Sequence, residues 1–266
     1  MSETKTTGTI ETYREGAIGR VVVTNPDKYN AMSFGMWQAL PPAIQALDDD
    51  PEIRAIVLEG EGEKAFISGA DISEFETLRS DPASQARFNE AVDLAYKAPL
   101  NCRKPVIARI RGICMGGGLG LAAACDLRFC DDRARFRMPA GRLGLGYGMD
   151  GVRRFIACLG LQNTLDIFLS ARIFDAPDAL RMGFVSKVFA TNELQAGVDA
   201  WLKEVVANAP LTLAAVKLAA QSVLPGAPSV AEQKASAAIA ACFDSDDYRE
   251  GAAAFMQKRP PRFVGH

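Results

Sequence analysis

Apolar and polar positions change rhythm near the middle of the chain. In the first half, short runs rich in β-branched residues alternate with turn-forming residues, which predicts strands. Residues 10–14 and 18–24 read as two strands joined at Glu15-Gly16-Ala17. Further strands are predicted over 53–59, 65–68, 105–110, 127–130 and 134–136. Ser33 is placed to cap a helix running through Met36, Trp37 and Leu40. Pro41-Pro42 is expected to interrupt or bend it before 43–47 continues. Residues 73–97 read as one or two surface helices with a break at Asp81-Pro82, and 139–151 as a glycine-rich loop. The second half reads as helices over 152–159, 162–170, 177–182, 193–207, 211–223, 230–243 and 248–258, with one short strand at 186–189. The expected class is α/β: a layered sheet core followed by a helical C-terminal part.

Two glycine turns interrupt this pattern. The stretch Arg111-Gly112-Ile113-Cys114-Met115-Gly116-Gly117-Gly118-Leu119-Gly120 follows the 105–110 strand and precedes a small apolar helix over 119–125. Such a turn presents bare backbone N–H groups at the positive end of a helix. Ser68-Gly69-Ala70-Asp71 is a second turn of the same kind. If the two meet, each offers one N–H to a single oxygen, which makes an oxyanion hole. The plainer alternative is a flexible turn or close helix–strand packing.

Composition narrows the choices. A chain of 266 residues, 48% of them hydrophobic, suits one large domain or a domain with a small appendage. Net charge is −2, so charge gives no argument for nucleic acid or a membrane surface as partner. No apolar run approaches the ~20 residues that span a bilayer, and residues 1–9 are polar, unlike a signal peptide. The six cysteines are scattered without a Cys-x-x-Cys pair, which predicts a reduced, cytoplasmic protein. The only histidine is His266, the last residue. A histidine base, a Ser-His-Asp triad and a histidine-ligated metal inside the fold are thereby disfavoured.

The stretch Lys64-Ala65-Phe66-Ile67-Ser68-Gly69-Ala70-Asp71-Ile72, then Gly112 to Leu121 and Cys125-Asp126-Leu127, resembles the crotonase (enoyl-CoA hydratase/isomerase) superfamily. Asn25-Pro26 with Asn30-Ala31-Met32, and Arg172 to Ala176 with Gly183-Phe184-Val185, extend the likeness over essentially the whole chain. The resemblance implies a crotonase-like spiral of ββα turns over residues 1–195 and a helical trimerisation region over 196–266, in a homotrimer or homohexamer. It implies an acyl-CoA substrate, with coenzyme A part of that substrate and no separate cofactor or metal. The thioester oxygen would sit between the N–H groups of Ala70 and Gly117. CoA contacts would fall to Lys28 and Ala31 near the pantetheine–phosphate end, and to Ala65, Ser68, Asp71 and Ile72 around the adenine and pantetheine. Phe255 and Lys258 of the last helix would reach CoA of the same or a neighbouring subunit. Gly116, Ala140 and Leu145 are expected to line the acyl end.

The chain departs from the hydratase pattern at both positions that carry catalytic glutamates. One is Gly120; the other, after Pro139, is Ala140. Without that acid–base pair a water is hard to activate. Decarboxylation of a malonyl-type thioester needs only the enolate to be stabilised, so it is the favoured reaction. Pro139-Ala140 with Leu143-Gly144-Leu145-Gly146-Tyr147, and the tail Asp244 to Gly251 with Phe263-Val264-Gly265-His266, are similar to the methylmalonyl-CoA decarboxylase branch, at the cost of a one-residue gap. That likeness implies that Tyr147 helps hold a substrate carboxylate; the branch has a histidine where this chain has Ala70. A hydratase or double-bond isomerase with a substitute base such as Asp150 or Tyr147, and a non-catalytic CoA-binding protein, are the alternatives. Around the site, Asp150 is expected to cap a helix beginning at Gly151, Asp71 to shape its turn, and Arg142, Arg153 and Arg154 to lie on the surface or at subunit contacts.

Overall fold

The alternating apolar run at the start of the chain folds as an antiparallel hairpin, β1 (Thr9–Glu15) on β2 (Ile18–Thr24). From there a computed structural model describes residues 8–74, 81–224 and 226–266. β3 (Ala55–Gly60), β5 (Val106–Ile110), β7 (Leu127–Asp131) and β10 (Lys187–Phe189) add to β2 in parallel, giving a six-stranded sheet in the order β1-β2-β3-β5-β7-β10. The interiors of β2 and β3 are buried throughout, the mark of a parallel sheet covered on both faces.

A second sheet takes the short strands β4 (Ala65–Ile67), β6 (Ile113–Met115), β8 (Arg135–Arg137) and β9 (Ile173–Asp175), in that order. Each circuit of the chain thus leaves one strand in the large sheet and the next in the small one: β3 then β4, β5 then β6, β7 then β8. This is the ββα spiral that the sequence resemblance implies. The main core lies between sheets and helices and centres on Trp37, Phe66, Phe136, Phe155 and Phe174. A second cluster covers the other face of the large sheet, where Val198 and Leu202 of α6 (Leu194–Val206) pack on Val57 and Phe129.

Helix α1 (Phe34–Asp49) starts where Ser33 Oγ accepts the Met36 N–H at 3.3 Å, as the capping pattern predicts. It does not break at Pro41-Pro42. Two intrahelical donors are lost there, but the buried face Trp37, Leu40, Ile44 and Leu47 holds the helix against the core. Asp81 caps α2 (Pro82–Asn101), accepting from Ala83 and Ser84, so the predicted boundary stands; the part of the expected helix over 75–80 lies outside the described residues. The glycine stretch holds a strand of its own, β6, before α3 (Gly117–Ala124). Strand β9 also exceeds the sequence pattern; both are three-residue strands, too short for an alternation signal.

Helix α4 (Met149–Ser170) is two helices meeting at Gly160, with φ 72 and ψ 166, as the two predicted segments require. α5 (Ala176–Arg181) precedes β10. The chain ends in α7 (Pro210–Ser222), α8 (Ala231–Asp244) and α9 (Asp246–Met256). No helix among the described residues is long and apolar enough to cross a membrane.

Candidate active site

Strands β4 and β6 pair in parallel, Ala65 opposite Ile113 and Ile67 opposite Cys114. The turns that leave their C-terminal ends therefore emerge side by side. Gly69 has φ 124 and Gly116 has φ 51 with ψ −117, conformations that strain any residue bearing a side chain. A β-carbon on Gly117 would lie 3.6 Å from the Ala70 nitrogen, and one on Gly69 would lie 3.7 Å from the Gly117 nitrogen. The two glycine turns thus meet.

Among the described residues both amides are free. Met32 N–H donates to Gly69 O at 2.8 Å and Asp71 N–H donates to Met32 O at 2.8 Å. This parallel bridge occupies the groups flanking Ala70, and strand alternation turns the Ala70 N–H to the opposite side. Gly117 is the first residue of α3, where an N–H has no intrahelical partner. Neither N–H donates to another backbone group among the described residues. Paired free amides at a helix start are suited to an oxygen that gains negative charge.

The surroundings are aromatic. A β-carbon on Gly117 would stand 2.8 Å from Cζ2 of the fully buried Trp37. Tyr96 meets Trp37 edge-on, with centroids 5.8 Å apart, and its hydroxyl donates to Gly117 O at 3.4 Å. A β-carbon on Gly120 would lie 2.6 Å from that same Tyr96 hydroxyl. The phenol fills the space that a side chain at 120 would need. Ala140 is buried in a 3₁₀ turn (Ala140–Arg142), its carbonyl accepting from Leu143 and Leu145. No carboxylate stands at either hydratase position.

Tyr147 packs edge-on against Phe155 and Phe168, with centroids at 6.1 and 5.0 Å. Its hydroxyl is buried against the Tyr96 hydroxyl. Burial pushes both phenols above their ordinary pKa, Tyr96 the more strongly because the facing phenol adds to the effect. Both stay neutral donors near pH 7.

One sequence expectation is corrected here. Asp150 caps no helix: α4 begins at Met149, two residues before the expected start, with Gly148 at its N-cap, and Asp150 is 62% exposed in an ion pair with Arg153 at 2.8 Å. Arg154 is half-buried. Its guanidinium carbon lies 5.1 Å from the centre of the Tyr96 ring, and its Nε and Nη1 are buried without acceptors.

Nearer the N-terminus, Lys28 Nζ reaches Asp71 Oδ2 at 2.6 Å and Ser73 Oγ at 3.0 Å. Asp71 Oδ1 accepts from the Ser73 N–H at 3.0 Å, so Asp71 does shape its turn. Burial pushes the Asp71 carboxyl up, but the Lys28 and Ser73 hydrogen bonds outweigh it and hold the carboxyl below its usual pKa. Ser68 Oγ donates to Lys28 O at 3.1 Å, which ties the same two loops together. Ala31 and Ala65 are buried, Leu145 is half-buried against the core and Ile72 is exposed. Lys28, Ser68, Asp71 and Ile72 are thus gathered beside the Ala70 turn. Phe255 and Lys258 stand exposed at the end of the last helix.

Tyr96 and Arg154 are the site residues that sequence reasoning missed. Tyr96 had a signal: Phe88, Ala91, Ala95 and Pro99 recur at helical spacing and form the buried face of α2. Arg154 had none. Among the described residues no group of three His, Cys, Asp or Glu side chains stands where it would hold a metal ion.

Residues 13–266 match the Enoyl-CoA hydratase/isomerase family. The chain is 31% identical over 249 residues to a short-chain-enoyl-CoA hydratase of Clostridium acetobutylicum, covering 92% of this chain and 94% of the relative. It is 31% identical over 279 residues to a peroxisomal Delta(3,5)-Delta(2,4)-dienoyl-CoA isomerase of Arabidopsis thaliana, covering 99% of each. A crystal structure described as an enoyl-CoA hydratase/carnithine racemase from Magnetospirillum magneticum superposes with a TM-score of 0.88 at 33% identity, over 97% of this chain and 96% of that one. An enoyl-CoA hydratase/isomerase family protein from Hyphomonas neptunium gives 0.91 at 31% identity, over 98% and 99%. With the spiral fold and the paired glycine turns in place, these matches mean that the chain belongs to the enoyl-CoA hydratase/isomerase family.

Proposed function

We propose that this protein is an acyl-CoA enzyme that stabilises a thioester enolate between the Ala70 and Gly117 amides, and that its reaction is decarboxylation of a malonyl-type acyl-CoA. The observation that carries this reading is the Tyr96 phenol in the space of a side chain at 120. Together with Ala140, it leaves the site without the carboxylate pair that adds water to a double bond.

Decarboxylation needs no base. The bond between the α-carbon and the carboxylate carbon breaks, and carbon dioxide leaves. The electron pair moves into a new carbon–carbon double bond, and the carbonyl pair moves onto oxygen. Two backbone donors then bear that charge, an effect on the order of 10²–10³ in rate per donor. The α-carbon finally takes a proton from solvent water, giving the shortened acyl-CoA. The Tyr147 hydroxyl, a buried donor beside the Tyr96 hydroxyl, is suited to hold the departing carboxylate. Lys28, Ala31, Ala65, Ser68, Asp71 and Ile72 are assigned to CoA, with Gly116, Ala140 and Leu145 lining the acyl end. Phe255 and Lys258 would reach CoA from the helical end region, residues 196–266, which we assign to trimer or hexamer assembly.

The names of the relatives favour hydration or isomerisation as the second reading. Against it stands the lack of a ready base among Asp150, Tyr96 and Tyr147. Asp150 is exposed and paired with Arg153, and burial keeps the two phenols protonated. Carbon dioxide release from malonyl-CoA and methylmalonyl-CoA, measured beside hydration of crotonyl-CoA, separates the two. Release well above background with no hydration supports decarboxylation; hydration alone overturns it.

A further inference from the structure

Arg154 carries a charge that nothing among the described residues answers. Its Nε and Nη1 are buried without acceptors, and among the described residues it makes no ion pair. Asp150 lies one helical turn earlier on α4, where an i,i+4 pair would form. It bonds Arg153 instead, at 2.8 Å. On α2, Lys97 is engaged by Asp93 at 2.5 Å. Tyr96 offers Arg154 its ring face, not an oxygen. The neighbouring Tyr147 hydroxyl is a further buried donor, facing the Tyr96 hydroxyl that itself donates to Gly117 O.

A buried donor left unsatisfied costs about 1–3 kcal/mol, and more when it is charged. A guanidinium left open beside a buried phenol therefore describes a receptor for an acceptor-only group. The Tyr96 hydroxyl connects this place to the polarising turn, since it bonds the carbonyl of Gly117 itself. The receptor thus lies on the acyl side of the site.

We propose that Arg154, assisted by the Tyr147 hydroxyl, recognises a carboxylate on the acyl group, so that the protein selects CoA monothioesters of dicarboxylic acids over plain acyl-CoA. This rests on the reading that a thioester is held between Ala70 and Gly117, but not on which reaction follows. Planar, permanently charged guanidinium suits carboxylate better than a lysine would. Arg154 acts here as a specificity-determining residue.

The test is calorimetric binding of two non-hydrolysable ketone analogues, in which a methylene replaces the thioester sulfur. One carries a butyryl chain and the other a succinyl chain, so they differ by methyl against carboxylate. The full-length protein should bind the succinyl analogue roughly tenfold or more tightly than the butyryl one, the discrimination expected of a charge-assisted hydrogen bond. Arg154→Met should abolish that preference while butyryl affinity stays within about twofold, which also shows the variant to be folded. Arg154→Lys should keep part of it. A wild-type protein that binds both analogues alike, or an Arg154→Met protein with the wild-type ratio, overturns the assignment and leaves the thioester reading intact. Failure of the wild type to bind either analogue overturns both.

Discussion

The hydroxyl of Tyr96 stands 2.6 Å from the point where a β-carbon on Gly120 would be. One residue's absence of a side chain is thus the other's place. The pair explains how a member of this family keeps the donor geometry of the site while lacking a carboxylate next to it. It also makes the two positions energetically dependent on each other.

Gly120→Ala should therefore destabilise the protein by about 1–3 kcal/mol, the usual range for overpacking. In a Tyr96→Ala background the same change should become neutral or stabilising by up to about 1 kcal/mol, because alanine is the better helix former. Urea unfolding of the four proteins closes the cycle. Costs that simply add would show that the two residues do not share space.

The Ala70 amide is tested by Ala70→Pro, which deletes the N–H. Turnover of any accepted acyl-CoA should fall on the order of 10²–10³-fold. Affinity for free CoA, measured by calorimetry, should stay within a few-fold, because the residues proposed to contact CoA lie elsewhere. Equal losses in both would assign Ala70 to binding instead.

Asp71 provides an acid-range signature. Its folded pKa is depressed, so its contribution is fully present above the unfolded value near pH 3.9 and is lost as pH falls through the lower folded value. Asp71→Asn removes this dependence. The variant should be less stable than the wild type at pH 6, and the gap should narrow progressively below about pH 4. Parallel urea titrations from pH 6 to pH 2.5 measure it, and a constant gap contradicts it. The effect is small, because Lys28 is half exposed and solvent screens the pair.

Lys217 fastens the helical end of the chain to the spiral. Its ammonium group, 8% exposed, bonds the carbonyls of Pro99 and Lys104 and the Asp126 carboxylate at 2.7–3.0 Å. Asp126 in turn accepts the Val106 N–H at 2.7 Å at the start of β5. Lys217→Met should cost about 3–5 kcal/mol by leaving that carboxylate uncompensated. Differential scanning calorimetry should show the loss. A melting temperature within a degree of the wild type would mean that the clamp contributes nothing.

Much of this protein was legible before its fold. The β-branched runs of β2, β3 and β5 and the glycines at 69 and 116 announce themselves locally: strand propensity and backbone freedom belong to single residues and their neighbours. Ser33 and Asp81 mark helix starts for the same reason, since a capping oxygen reaches only two or three residues ahead. Pro41-Pro42 shows the limit of local rules, because packing of Trp37, Leu40 and Ile44 overrides the expected break.

By itself, then, the sequence determined where the longer strands, the Ser33 and Asp81 caps and the glycine turns stand, and that positions 120 and 140 carry no carboxylate. Only the tertiary structure decided what occupies the resulting space. Tyr96 arrives from another helix, Arg154 turns inward while its neighbour Arg153 turns out, and the Ala70 and Gly117 amides come together through the β4–β6 pairing. Contacts of that kind depend on which surfaces bury each other across the chain, and short-range periodicity does not record them.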